Sequence, residues 1–220
     1  MFTPAMIKLL LVGILETLYM TVVSTGLAYV IGLPLGVVLY ITDKGGICPN
    51  KIVNGILGFV INLLRSAPFI ILLITILSVT RAIVGTTIGS TATIVPLVFA
   101  SSPFVARMVE SSLKEVDGGV IEAAQSMGSS PFQIIYKVLI PEAKPSLITG
   151  SAIAITTILG YSAMAGFTGG GGLGAIAINY GYYRYQDNVM LVTLVLLVII
   201  VQVFQELGMR IARISDKRIK

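Results

Sequence analysis

Histidine is absent from this chain of 220 residues, cysteine occurs once, and charge is sparse at 11 % of residues. Each shortage removes a class of chemistry. Without histidine there is no Ser-His or Cys-His nucleophilic pair and no imidazole ligand for a metal, which sets aside many intramembrane hydrolases. The single thiol, Cys48, cannot close a disulfide within the chain and leaves the redox compartment open. No Gly-x-x-x-x-Gly-Lys-Ser/Thr stretch occurs, so a nucleotide-driven process would need its motor from a partner. We therefore expect no catalytic residue, no metal site and no cofactor in this chain.

What the chain does have is apolar: 55 % hydrophobic residues and a mean hydropathy of +0.95. The few charges cluster between long apolar runs, the pattern of an all-α integral membrane protein. The longest polar-rich section, Arg107 to Lys144, is too short and too interleaved with apolar residues to be a separate soluble domain. Residues 1–220 are therefore expected to form one transmembrane domain. The net charge of +5 flanks apolar runs instead of forming a stripe, which argues against nucleic acid and for a topological role.

Five crossings are predicted. No charge falls between Glu16 and Asp43, a run that includes LAYVIGLPLGVVLY and exceeds the roughly 20 residues a crossing needs. It is also too long for a signal-peptide core and is expected to be retained. Ile52 to Leu64 is predicted as a helix rising from the cytoplasmic edge, with Arg65 at a polar interface and Pro68 permitting a bend into the second span. The third span lies between Arg81 and Arg107, opening on the loop-like GTTIGST and kinked by Pro96 and Pro103. Such kinks either line a passage or reflect packing irregularity. The fourth span runs from about Pro145 to Met164, followed by a Gly-rich external loop and a short helix, Ala175 to Tyr183. Asn188 to Gln205 is the fifth, with the basic tail RIARISDKRIK after it.

Charge sets the orientation. With the N-terminus outside, the cytoplasmic segments hold Lys44, Lys51, Arg107, Lys114, Lys137, Lys144, Arg210, Arg213, Lys217, Arg218 and Lys220, against Lys8, Arg81 and Arg184 outside. That bias places the C-terminus and the stretch Ile121 to Ala143 in the cytoplasm, and the tyrosines Tyr180, Tyr182, Tyr183 and Tyr185 at the outer interface.

The cytoplasmic stretch, IEAAQSMGSSPFQIIYKVLIPEA, is predicted to form two short helices within a loop of about residues 115–143. Asp117 can cap the first, with Val120, Ile121, Ala124 and Met127 on one face and Glu122, Gln125 and Ser126 facing away. Gly128 ends it by adopting positive φ. Ser130, Pro131 and Gln133 then carry the spacing of a capping box with proline at the first helical position, and the second helix is expected to stop at about Leu139, before Pro141. The result is a compact knob with an apolar face toward the membrane and a polar, small-residue face outward. It suits the grip of another protein; an interfacial helix on lipid headgroups is the alternative, and Lys137 is the sole cation in it.

EAAQSMG followed by LIP resembles the EAA loop of the membrane subunits of bacterial ABC importers, and LLRSAPFIILL, ARMVESSLKEV, LGYSAMAG, GGGGLG and NYGYYRY extend the resemblance, over nearly the whole chain, to permeases of D/L-methionine importers. The resemblance implies a type I importer of the bacterial cytoplasmic (inner) membrane working by alternating access. Glu122, Ala123, Ala124, Gly128, Ser129 and Pro131 would form the coupling site for an ATP-binding cassette subunit. Two copies of that ATPase would hold ATP and Mg, a second copy of the permease would complete the path as a homodimer, and an extracytoplasmic binding protein would deliver substrate.

Tyr161 and Met164 stand three apart on the fourth span, within GYSAMAG, where a phenol and a thioether suit the path or gate for an apolar amino acid. Alternatively Ser162, Ala163 and Ala165 permit close helix packing and Met164 fills a gap. Gly169 to Gly172 is either a contact for the binding protein or a turn. A permease for another amino acid, a secondary-transporter half and a membrane-embedded enzyme are the competing functions. The strong charge bias disfavours the carrier half, and the missing ligand sets disfavour the enzyme.

Overall fold

The structure is a computed structural model in which residues 3–215 are described; Lys217, Arg218 and Lys220 of the basic tail lie outside them. Among the described residues every regular element is helical. Among the described residues four helices are long and apolar enough to cross a membrane, and the helix pair Lys51–Ser66 and Phe69–Thr75, bent by 101°, brings the count to five if it is one span.

Helix α1 spans Pro4–Thr42 without interruption, including Pro34. It starts well before the apolar run predicted as the first span and takes Lys8 and Glu16 into its first half. Lysine and glutamate are good helix formers, so a charge marks the edge of an apolar run and not the end of a helix. At 39 residues α1 is about 58 Å long, longer than the roughly 30 Å hydrocarbon layer. A turn follows, and α2 (Lys51–Ser66) opens on Asn50, whose Oδ1 accepts from the amides of Ile52 and Val53 at 3.1 Å.

The chain bends at Ala67 and Pro68 into α3 (Phe69–Thr75), as expected, and a second break at Ile76 leads into α4 (Leu77–Val84). Gly85, at φ 82°, ends α4. Helix α5 (Ser90–Lys114) runs past Arg107 into the segment that the charge pattern assigns to the polar section. The insert comprises α6 (Gly118–Ser126) and α7 (Pro131–Ile134), a π-helical turn over Ile135–Leu139, and α8 (Ile140–Glu142). The second helix therefore does not stop before Pro141. The wider π turn shifts the hydrogen-bond register ahead of the residue that lacks an amide hydrogen, and the helix continues. Helix α9 (Lys144–Met164) matches the predicted fourth span. A 3-10 turn (Ala165–Thr168), α10 (Gly172–Ile176) and a π turn (Ala177–Tyr182) follow, and α11 (Asp187–Ser215) is the last crossing.

The described residues divide into two compact units, each built from three stretches of chain. The first takes the chain up to Leu27, Ala67–Ser101 and Ile155–Gln205. One cluster of its core is Leu10, Leu173, Ile176 and Val189. Gly13 lets Ile176 approach so closely that a Cβ there would collide with it. The second takes Ala28–Ser66, Ser102–Ala154 and the chain from Glu206. Leu39, Ile61 and Ala106 form its core, with Leu35 and Leu57 against them. Here the sequence GLPLG on α1 finds its reason. A Cβ on Gly32 would lie 2.8 Å from the Ser102 carbonyl oxygen and one on Gly36 2.5 Å from that of Ala106, so this face of α1 packs directly on α5. Four of the five passages between units fall inside α1, α5, α9 and α11, so neither unit is a separable stretch of chain.

Candidate functional site

The insert is held by local hydrogen bonds that its sequence specifies. The Asp117 carboxylate accepts from the Gly119 amide at 2.7 Å, capping α6. Gly128 takes φ 78° and closes that helix. Ser130 then opens α7 with a complete capping box. Its Oγ accepts from the Gln133 amide, and Gln133 Oε1 accepts from the Ser130 amide at 2.8 Å, with Pro131 at the first helical position.

The two faces differ from expectation. Of the four residues assigned to the inward face only Ala124 is buried; Ile121 is half-buried, Val120 is exposed and Met127 is 78 % exposed. The interior of the insert is instead Ala124, Ile134 and Leu139. Its surface is not confined to small polar groups either, because Phe132 (75 %) and Tyr136 (67 %) join Met127 outside. Helical spacing says which residues share a face, not what covers it. Among the expected coupling residues Glu122, Ala123, Gly128 and Pro131 are exposed, Ser129 is half-buried, and Ala124 is buried inside the insert.

The same unit contains an ion network. Arg107 donates to Glu110 Oε2 at 2.6 Å, to Asn62 Oδ1 at 3.0 Å and to the Gly58 carbonyl at 3.2 Å. Lys114 reaches Glu110 Oε1 at 2.9 Å and Asp43 Oδ2 at 3.1 Å. The Lys44 amide and then the Lys114 ammonium hold the Asp43 carboxyl below its usual range. Glu110, only 7 % exposed, thus bridges two cations and ties the last turns of α5 to α2 and to the turn after α1. Arg65, exposed at the end of α2, stands apart from this network.

The other unit contains the second candidate. Tyr161 is half-buried and its ring stacks on Phe69, with centroids 4.6 Å apart and planes within 6°. Phe69, the residue after the Pro68 break, is the partner that sequence did not supply. Met164, the last residue of α9, is 46 % exposed, so it does not fill a gap within the chain. The close packing expected of the small residues is nonetheless present. A Cβ on Gly174 would strike the Ala163 carbonyl, and one on Gly166 would lie 2.5 Å from the Gly174 backbone. The glycine-rich stretch is consequently not an open loop. Gly170, Gly172 and Gly174 are buried, and the turn is packed against α1. At its far end Arg184 lies 4.5 Å over the Tyr180 ring, and Tyr182, Tyr183 and Tyr185 are exposed, as interface residues would be.

Broken apolar helices joined by a capped insert define a polytopic helical membrane protein. Residues 28–220 match the family described as binding-protein-dependent transport system inner membrane component, and the chain belongs to that family. It is 49 % identical to a probable D-methionine transport system permease protein MetI of Vibrio cholerae, over 96 % of this chain and 93 % of that one. It is 47 % identical to the methionine import system permease protein MetP of Bacillus subtilis, over 92 % and 91 %. Among solved structures, a chain of the MetNI methionine ABC transporter in inward-facing conformations superposes with a TM-score of 0.97 at 48 % identity, covering 98 % of this chain and all of the other.

Proposed function

We propose that this chain is the membrane-spanning subunit of an ATP-driven importer that carries an amino acid, methionine in its D and L forms, inward across the cytoplasmic membrane by alternating access. The observation that carries the reading is the 49 % identity with a D-methionine permease along nearly the full length of both chains. The chain acts as one permease domain; four helices shared between its two units support this. The N-terminus faces out and the insert faces the cytoplasm, as the basic residues indicate.

The insert docks on an ATP-binding cassette subunit, which binds ATP and Mg. One insert per chain calls for a second permease copy, two ATPase copies and an extracytoplasmic binding protein to deliver substrate. Glu122, Ala123, Ala124, Gly128, Ser129 and Pro131 form the coupling site, with Ala124 buried at its base. The exposed Met127, Phe132 and Tyr136 add the apolar area that a protein partner desolvates. Tyr161 and Met164 gate the path: the exposure of Met164 and the stacking that fixes Tyr161 favour this over simple packing.

The test is uptake and ATP hydrolysis by the complex reconstituted with its binding protein, comparing methionine with histidine and glutamine. Methionine is expected to stimulate both activities. Preference for histidine or glutamine would make the chain a permease for another amino acid, and uptake driven by an ion gradient without ATP would refute the importer reading.

A further inference from the structure

The glycine turn that follows the proposed gate is anchored by the first helix. The Gly172 amide donates to Glu16 Oε2 at 2.6 Å, and the Leu173 amide donates to Thr17 Oγ1 at 2.9 Å, partners 156 residues apart in sequence. These amides open α10 and have no acceptor within that helix, so in apolar surroundings each requires one from elsewhere. Thr17 keeps its own proton occupied by donating to the Gly13 carbonyl at 2.8 Å, which aims a lone pair at Leu173.

The glycines are shaped to this contact. A Cβ on Gly171 would lie 2.6 Å from Glu16 Oε2, and one on Gly172, already at φ 80°, 2.5 Å from Thr17 Oγ1. The turn reaches the gate through backbone alone. The Gly170 amide donates to the Ala165 carbonyl at 3.0 Å, and Gly174 rests on the Ala163 carbonyl. Ala163 and Ala165 flank Met164 in sequence. Glu16 is half-buried, and its carboxylate is committed to the Gly172 amide. The work it does is to hold backbone.

We infer that Glu16, assisted by Thr17, is the positioning residue of the gate: its carboxylate fixes the glycine turn, the turn fixes the end of α9, and Met164 is held in place by that chain of contacts. The inference rests on the gate reading given above. It predicts that Glu16 governs how much substrate moves per ATP, whereas a merely structural role would change stability and total activity together and leave that ratio intact.

The experiment measures methionine uptake, ATP hydrolysis and thermal unfolding of the reconstituted complex with Glu16→Ala, Glu16→Gln, Thr17→Val and Met164→Ala. Losing a hydrogen bond to a charged group corresponds to about tenfold in an equilibrium, so Glu16→Ala is expected to import about tenfold less per ATP. Glu16→Gln keeps an acceptor oxygen and is expected to stay within about threefold of the parent. An unchanged ratio in Glu16→Ala, or a loss in Glu16→Gln as deep as in Glu16→Ala, overturns the inference. Should Glu16→Ala fail to assemble, Thr17→Val decides in its place: a lowered ratio supports the anchor and an unchanged one overturns it. Met164→Ala separates the two readings. An altered ratio there with none in Glu16→Ala keeps the gate and removes the anchor; the reverse removes the gate and keeps Glu16 in coupling.

Discussion

Gly128 is a residue whose identity is set by backbone alone. It sits at φ 78°, and a Cβ added there would meet nothing within 4 Å, so space does not require glycine while conformation does. A β-branched residue in the left-handed region costs about 1–2 kcal/mol, whereas asparagine is tolerated there. Gly128→Val is thus expected to reset the angle between α6 and α7 and abolish co-purification with the ATPase, while Gly128→Asn retains it. Equal retention by both variants would show that the turn does not shape the docking surface. Gly172 differs: φ and the crowding atoms of Thr17 and Met20 both exclude a side chain, a double constraint that makes glycine necessary there. The sequence displayed the run of glycines, but not the oxygens of Glu16 and Thr17 that make it necessary.

At the scale of elements, the insert was the most legible part of the chain and the ion network the least. Asp117, Ser130 and Gln133 were readable because a cap joins residues two or three apart, so the spacing in sequence is the contact in space. Arg107 meets Gly58 and Asn62 only because α2 returns alongside α5, and no local pattern signals that. Removing Glu110 takes a carboxylate from both cations, leaving Lys114 its contact with Asp43 and Arg107 its contacts with Asn62 and Gly58, and a hydrogen bond to a charged group is worth about 1.5–3 kcal/mol. Glu110→Ala is expected to lower the thermal unfolding midpoint by several degrees and Glu110→Gln by less. An unchanged midpoint in Glu110→Ala would mean that the network contributes nothing to stability. The outward exposure of Met127, Phe132 and Tyr136 was likewise beyond helical spacing, since an apolar residue reads as core until packing leaves it outside.

For the whole molecule, orientation is the property most open to test. Cys48 is the single cysteine, is exposed, and lies in the turn between α1 and α2. The proposed orientation places it in the cytoplasm. A membrane-impermeant maleimide should therefore label inside-out vesicles and leave right-side-out vesicles unlabelled; the opposite pattern would invert the topology and put the insert out of reach of any ATPase.

Hydropathy, charge bias and cap spacing, all properties of neighbours along the chain, determined by themselves that this protein crosses a membrane, which segments do so, and that two capped helices separate the third crossing from the fourth. Only the tertiary structure decided that α1 and α5 run past their apolar limits, that Phe69 stacks on Tyr161, and that Glu16 anchors the glycine turn. The physical reason is range. Hydropathy and capping are set by residues within a few positions of one another, whereas a buried amide with no acceptor in its own helix takes whichever side chain the fold brings to it, here one 156 residues away.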